Sequence, residues 1–248
     1  NRPINMGFLS LRYNYLGVVG LSATANLYAG KFYGSAQGTL RMDFPYVMPF
    51  YLEGSITYNR YDFFKSSTSF LETSRPPYLV QYENFGDVGI GMPVGNKGKV
   101  FISGEYAHLT DKYYLTDDFS DIDTSDRTDF EIFTEQISYE RNTLNRKQYA
   151  NLGGFFKSSF RYVEGVELYV PGSTAIVKDS SEKFHHWVIF KLNYEKYFKT
   201  GIFYKPGVMI EGVYSGQSLF SNYTASSLSA PAFQPTPETK TLFLQRFR

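Results

Sequence analysis

Residues Pro45–Phe64, PYVMPFYLEGSITYNRYDFF, decide how the rest of the chain is read. Two prolines bracket a tight turn, and a long run that alternates residue by residue follows. Phe50, Leu52, Gly54, Ile56 and Tyr58 form one series, and Tyr51, Glu53, Ser55, Thr57 and Asn59 the other. A period of two is the signature of a strand whose two faces meet different surroundings. About ten residues with aromatics at both ends also match a tilted strand crossing a bilayer.

Working outward, the same unit repeats. About ten strands are expected, near Met6–Tyr15, Val18–Tyr28, Tyr33–Phe44, Phe50–Phe63, Glu83–Met92, Lys99–Thr110, Asp129–Arg141, Gln148–Tyr162, His185–Tyr194 and Ile202–Tyr214. Thr239–Arg248 reads as an eleventh, cut in its middle. From Phe44 onward the connections alternate. The short ones are Pro45–Pro49, Pro93–Gly98, Asn142–Lys147 and Glu195–Gly201. The long ones are Lys65–Tyr82, Asp111–Thr128, Val163–Phe184 and Ser215–Glu238. Short turns on one side and long loops on the other are the layout of an outer-membrane barrel, with the turns in the periplasm. The expected fold is therefore an all-β antiparallel transmembrane β-barrel, one domain over residues 1–248, incomplete at both ends. By parity its first strand runs downward, so at least one strand is expected before Asn1 and several after Arg248. The expected location is the bacterial outer membrane.

Composition agrees. The 248 residues include 22 Tyr, 23 Phe and 1 Trp, an aromatic share of 19% that suits strands and interfacial girdles. Mean hydropathy is −0.31, as a barrel with a polar lumen would give. The 25 basic and 24 acidic residues leave a net charge of +1, with no basic excess to attract nucleic acid. Cysteine is absent, which excludes disulfides, thiolate metal sites and a cysteine nucleophile. No apolar run approaches the length of a spanning helix. No signal peptide is visible, and the chain opens on Asn1 rather than Met, so a leader or more is expected ahead of it.

Phasing the alternation turns Arg41, Asp43, Glu53, Glu105, Lys157, Arg161, Lys191 and Glu195 inward, either as cross-lumen ion pairs and hydrated side chains or as a selectivity constriction. Tyr58, Tyr106, His186, Trp187 and Tyr214 are the expected interfacial girdle, with His185 and His108 beside it. Adjacent His185 and His186 must point to opposite faces and cannot share a metal. Asp129–Arg141 alternates poorly and predicts a bulge. The loop LTDDFSDIDTSDRTDF gathers acids, among which Asp121, Asp123 and Asp126 are a weak calcium set lacking the turn glycine. A solvated acidic loop is the competing reading. Gly86, Gly89 and Gly91 in FGDVGIGMP predict a strand that bends or packs closely on a neighbour. No G-x-S-x-G elbow, phosphate loop or dinucleotide fingerprint is present, and the sequence places no serine, histidine and acid to act together. No cofactor is expected.

GTLRMDFPYVMPFYLEGSITYNRYDFFKSS, with its DFP, a turn and a tyrosine-rich strand ending RYDFFKSS, resembles the C-terminal barrel of Bacteroidetes-type outer-membrane patatin-like phospholipases. Those barrels belong to the bacterial surface-antigen superfamily that includes the BamA and TamA insertases. TKTLFLQRFR is similar to the entry of a later strand, and the resemblance centres on residues 33–110. It implies a barrel of about 16 strands, with the chain supplying the second to the eleventh and the start of the twelfth. It implies too that the Ser215–Glu238 loop is the one insertases fold into the lumen. Gln245-Arg246-Phe247 lacks the glycine of the insertase motif, and the patatin Ser–Asp dyad has no counterpart. The expected role is a barrel, without catalysis of its own, that anchors and exports or displays a partner domain. The alternatives are an assembly or translocation factor of the BamA/TamA type and a porin-like diffusion channel. Expected partners are outer-membrane lipid and lipopolysaccharide, a periplasmic or surface domain, and other outer-membrane proteins.

Overall fold

A computed structural model describes residues 6–30, 33–62, 79–116, 119–120, 122–146, 150–201, 204–218 and 220. Every regular element among them is a strand. They are β1 (Met6–Leu16), β2 (Gly20–Gly30), β3 (Tyr33–Phe44), β4 (Phe50–Asp62), β5 (Leu79–Val94), β6 (Gly98–Tyr113), β7 (Asp126–Asn142), β8 (Gly153–Val170), β9 (Ser181–Tyr197) and β10 (Gly207–Ser215). Each pairs antiparallel with the next, giving one 10-stranded sheet in the order β1 to β10. Among the described residues β1 and β10 are its edges, and the sheet is not closed. The expected eleventh strand lies outside the described residues.

β5 to β9 run past the long-loop ends that the alternation suggested, while β8 begins only at Gly153 instead of Gln148 and β10 at Gly207 instead of Ile202. β8 reaches Val170 and β9 starts at Ser181, shortening the expected Val163–Phe184 loop to 171–180. Likewise the Asp111–Thr128 loop shrinks to 114–125. Backbone pairing continues there because it needs only neighbouring N–H and C=O groups, not an alternating side-chain pattern. The register also runs unbroken through β7, from Lys112↔Arg127 to Gly98↔Arg141. The bulge expected in Asp129–Arg141 is therefore absent. Alternation lapses there for another reason: Phe130 and Ile132 pack against a buried aromatic cluster on one face, while Phe133 and Ile137 are exposed on the other.

Over β3 to β6 the two faces of the sheet are largely inverted relative to a protein folded around an oily core, whereas β7 to β9 shelter an apolar cluster. On β4 the apolar series is the open one, with Ile56 72% exposed and Tyr58 and Arg60 exposed beside it, whereas Thr57 and Asn59 are buried. Cross-strand register carries each face through the sheet, because directly paired residues share a side. One exposed row runs Leu40, Gly54, Val88 and Gly104; another runs Gly38, Ile56, Gly86, Tyr106 and Phe133. On the sheltered face Ser35 donates to Asn59 Oδ1 at 2.7 Å and the Asn59 amide donates to Glu83 Oε2 at 3.0 Å. Asn26 donates to Gln37 at 3.3 Å and Gln81 to Asp111 at 2.9 Å. These polar side chains are thus satisfied by their neighbours along the wall, whereas the buried Thr57 hydroxyl has no such partner among the described residues.

Two of the three glycines in FGDVGIGMP pack closely on a neighbour, as expected. A Cβ on Gly91 would overlap the Tyr51 ring, and one on Gly89 would collide with Phe101. The space they leave lets Tyr51 and Phe101 lie flat on the sheltered face, stacked 5.9 Å apart and 15° from parallel. The Arg41 guanidinium sits 3.8 Å above the Tyr51 ring.

Candidate functional site

Three side chains from separate elements converge on the sheltered face near the long-loop end. Glu167 comes from β8 and His185 from β9, two residues apart in register on one face, since Gly165 pairs with His185 and Glu167 with Lys183. The chain then leaves β10, where Gly216 N donates to Val188 O at 3.0 Å. This bond continues the β9–β10 ladder and brings Ser218 over β9. The result is Glu167 Oε2 2.7 Å from His185 Nε2, and His185 Nδ1 3.2 Å from Ser218 Oγ.

Local sequence explains the convergence. Gly165 lies directly across from His185, and a Cβ there would overlap the Glu131 carbonyl and crowd the Phe130 ring. Phe130 stands edge-on to His185, with centroids 6.0 Å apart and planes at 84°. Phe220 packs 4.6 Å from His185 and 4.9 Å from Phe130. Trp187 stacks on Phe130 at 6.0 Å and 8°. Glu167 is 0% and His185 5% exposed, while Ser218 is open. Both ring nitrogens of His185 are at hydrogen-bond distance, and in the tautomer with the proton on Nε2 the imidazole donates to Glu167 and accepts from the Ser218 hydroxyl at Nδ1. The indole N–H of Trp187, two residues along the same face, is buried with no hydrogen-bond partner among the described residues.

The expected site residues fall as follows. Arg41, Glu53, Glu105, Lys157 and Lys191 share the sheltered face by register. Arg41 bonds Asp43 at 2.7 Å and lies 3.8 Å from Glu53, and on the same face Lys99 lies 3.4 Å from Glu140. Tyr58, Tyr106, His186 and Tyr214 are exposed on the opposite, apolar face. Trp187 departs from the girdle expectation: it is 7% exposed and belongs to the buried cluster. The reason is parity. Trp187 shares the face of His185, which leaves the expected belt with it, and only His186 turns outward.

Of the acidic loop, Asp121 lies outside the described residues. Asp123 accepts from Ser120 N at 2.8 Å, Ser120 Oγ at 2.9 Å and Ser173 Oγ at 2.7 Å. Asp126 Oδ1 accepts from Tyr169 at 2.7 Å and from Gly172 N at 3.2 Å. These two carboxylates join residues 122–126 to residues 169–173 instead of facing one another, and no group of three metal-ligating side chains forms among the described residues. Hydrogen bonds from Ser120 and Ser173 hold the Asp123 carboxyl below the usual carboxylate range.

The serine, histidine and acid that the sequence did not bring together are the finding here. They lie at 167, 185 and 218, on no shared motif, and only the register of β8 and β9 and the turn after β10 make them neighbours. The one signal available was parity, which puts Glu167 on the face opposite Glu164 and His185 on the face opposite His186. No protein-family model matches the chain, and no curated protein is similar to it.

Proposed function

We propose that the chain forms the wall of an outer-membrane β-barrel whose exposed face lies in lipid and whose sheltered face lines the lumen. The observation that carries this is the sidedness of β3 to β6: Leu40, Ile56, Tyr58, Val88, Ile102 and Tyr106 are open while Ser35, Thr57, Asn59, Gln81 and Glu83 are sheltered, although on β7 Glu131 and Glu135 stand open beside Phe133 and Ile137. Burying the exposed face in hydrocarbon removes its hydration cost, and complete backbone pairing is the condition for a strand in lipid. Ala25, Ala36 and Gly38 thin the exposed face of β2 and β3 into a furrow of about 500 Å³ between Leu9 and Leu11 on one side and Ile56 on the other, a shape that suits acyl chains. Phe44, Tyr46 and Phe50 stack at the short-turn end, where an aromatic belt would meet the headgroups.

Within that reading the wall anchors a partner domain and exports or displays it. A specific observation favours a second reading, an assembly or translocation factor: after β10 the chain turns onto the sheltered face and seats Phe220 there, as a loop folded into the lumen would. The same seat argues against a wide diffusion channel. Reconstitution of the full chain in lipid vesicles separates the three. An anchor gives little conductance and leaves other barrels' folding unchanged. An assembly factor accelerates their folding, and a porin conducts. Failure to insert at all, with cleavage throughout the strands by added protease, would refute the membrane reading.

A further inference from the structure

We propose that Ser218 is a nucleophile for acyl transfer, with His185 as its general base and Glu167 as the group that orients and charges the imidazole. The geometry has two of the parts such chemistry uses: a hydroxyl within reach of one imidazole nitrogen, and a buried carboxylate on the opposite nitrogen. The roles are not interchangeable. Glu167 and His185 are buried and cannot meet a substrate broadly, whereas Ser218 is open. A buried acid–imidazole pair is also a poor source of stability, because desolvation offsets its attraction.

The substrate class follows from what the site leaves open. Phe130, Trp187 and Phe220 are buried against one another beside the imidazole, so the open Ser218 hydroxyl defines the class, an activated acyl compound such as a carboxylic ester. The site lies on the sheltered face, away from the exposed apolar rows, so the ester reaches it from water. The chemistry balances without a co-reactant other than water. Ser218 Oγ bonds to the ester carbonyl carbon as its proton passes to His185 Nδ1. The bond from that carbon to the leaving oxygen breaks, and the same proton passes from Nδ1 to the departing alkoxide. Water repeats the sequence on the acyl-serine, giving up a proton to Nδ1, releasing the carboxylic acid and restoring the hydroxyl. Glu167 accepts from Nε2–H throughout, and its carboxylate stabilises the imidazolium that forms between the two transfers.

The test is the rate at which a fluorophosphonate probe labels the full folded chain in detergent, with the modified residue located by mass spectrometry. A hydroxyl serving only as a structural tie reacts no faster than any exposed serine. Labelling at Ser218 is expected, lost in Ser218→Ala and slowed about 10²-fold or more in His185→Gln, with Glu167→Gln slower than wild type. His185→Gln retains a side-chain amide at the pair, and heat-dependent gel mobility reports whether each variant is folded. Ser218→Ala removes only an exposed hydroxyl, so it keeps the comparison valid if a β8 or β9 variant misfolds. No labelling of folded wild type, labelling at another serine, or an equal rate in folded His185→Gln would overturn the proposal.

Discussion

Replacing Ile56 by lysine places a charge at a bare point of the exposed face. Ile56 is 72% exposed, and its cross-strand partners are Gly38 on β3 and Gly86 on β5. A Cβ on Gly38 would lie 3.6 Å from Ile56 and one on Gly86 3.7 Å, so Ile56 stands over open backbone on both sides. The diagonal neighbours on the same face are Ala36, Leu40, Asn84 and Val88, and none can neutralise an ammonium. With no partner, the introduced ammonium would bear the full cost of a cation in hydrocarbon, about 2–4 kcal/mol if the row is near the midplane. If the face is in water, the same change falls within about 0.5 kcal/mol of zero. Urea titration of the chain folded in vesicles reads the difference as a midpoint lowered by about 1–2 M, given a slope of about 2 kcal/mol per M. An unchanged midpoint in Ile56→Lys would refute the lipid-facing assignment of this row. An equal loss in Ile56→Ser would show that packing, not charge, was responsible.

Other predictions probe the sheltered face and the loops. Asn59→Leu removes the acceptor of Ser35 and the donor to Glu83 at a fully buried position, and should cost about 2 kcal/mol in the same titration; no loss would mean the ladder is not formed. Gly91→Val should cost about 1–3 kcal/mol by displacing Tyr51 from beneath Arg41. Gly104→Ala, where a Cβ meets nothing closer than 3.9 Å, should leave the midpoint within about 0.5 kcal/mol. The lowered Asp123 pKa means that its tie to Ser173 is fully present above the usual carboxylate pKa and is lost as pH falls through the depressed value. Amide exchange at Ser120 and Ser173 should accordingly rise only on strong acidification, and Asp123→Asn should abolish that pH dependence.

Strand order and the sidedness of the strands were legible because period-two alternation is a local property and antiparallel meanders pair neighbours. Strand ends were not. At Gln81, Asp111 and Asp126 both faces carry polar groups, so nothing in the pattern marks where pairing stops. Trp187 was misplaced because aromatic residues next to histidines were read by type, although its parity with His185 already fixed a common side. β7 showed the opposite problem. Phe130 and Ile132 look like errors of alternation until the wall they face, Val163, Trp187 and Phe220, is known. The Glu167–His185–Ser218 set was beyond the sequence for a physical reason. Its members meet through register and a turn, and neither leaves a spacing that a motif could record.

The central claim, that the exposed face of the sheet lies in hydrocarbon, is tested most directly by quenching with bromine-labelled lipid. Trp187 is the sole tryptophan and is sheltered, so a Trp187→Phe background carrying single tryptophans at positions 54 to 59 of β4 reports one face at a time. The account predicts quenching with a period of two, strong at 54, 56 and 58 and weak at 55, 57 and 59. Uniform weak quenching, or the opposite phase, would contradict it.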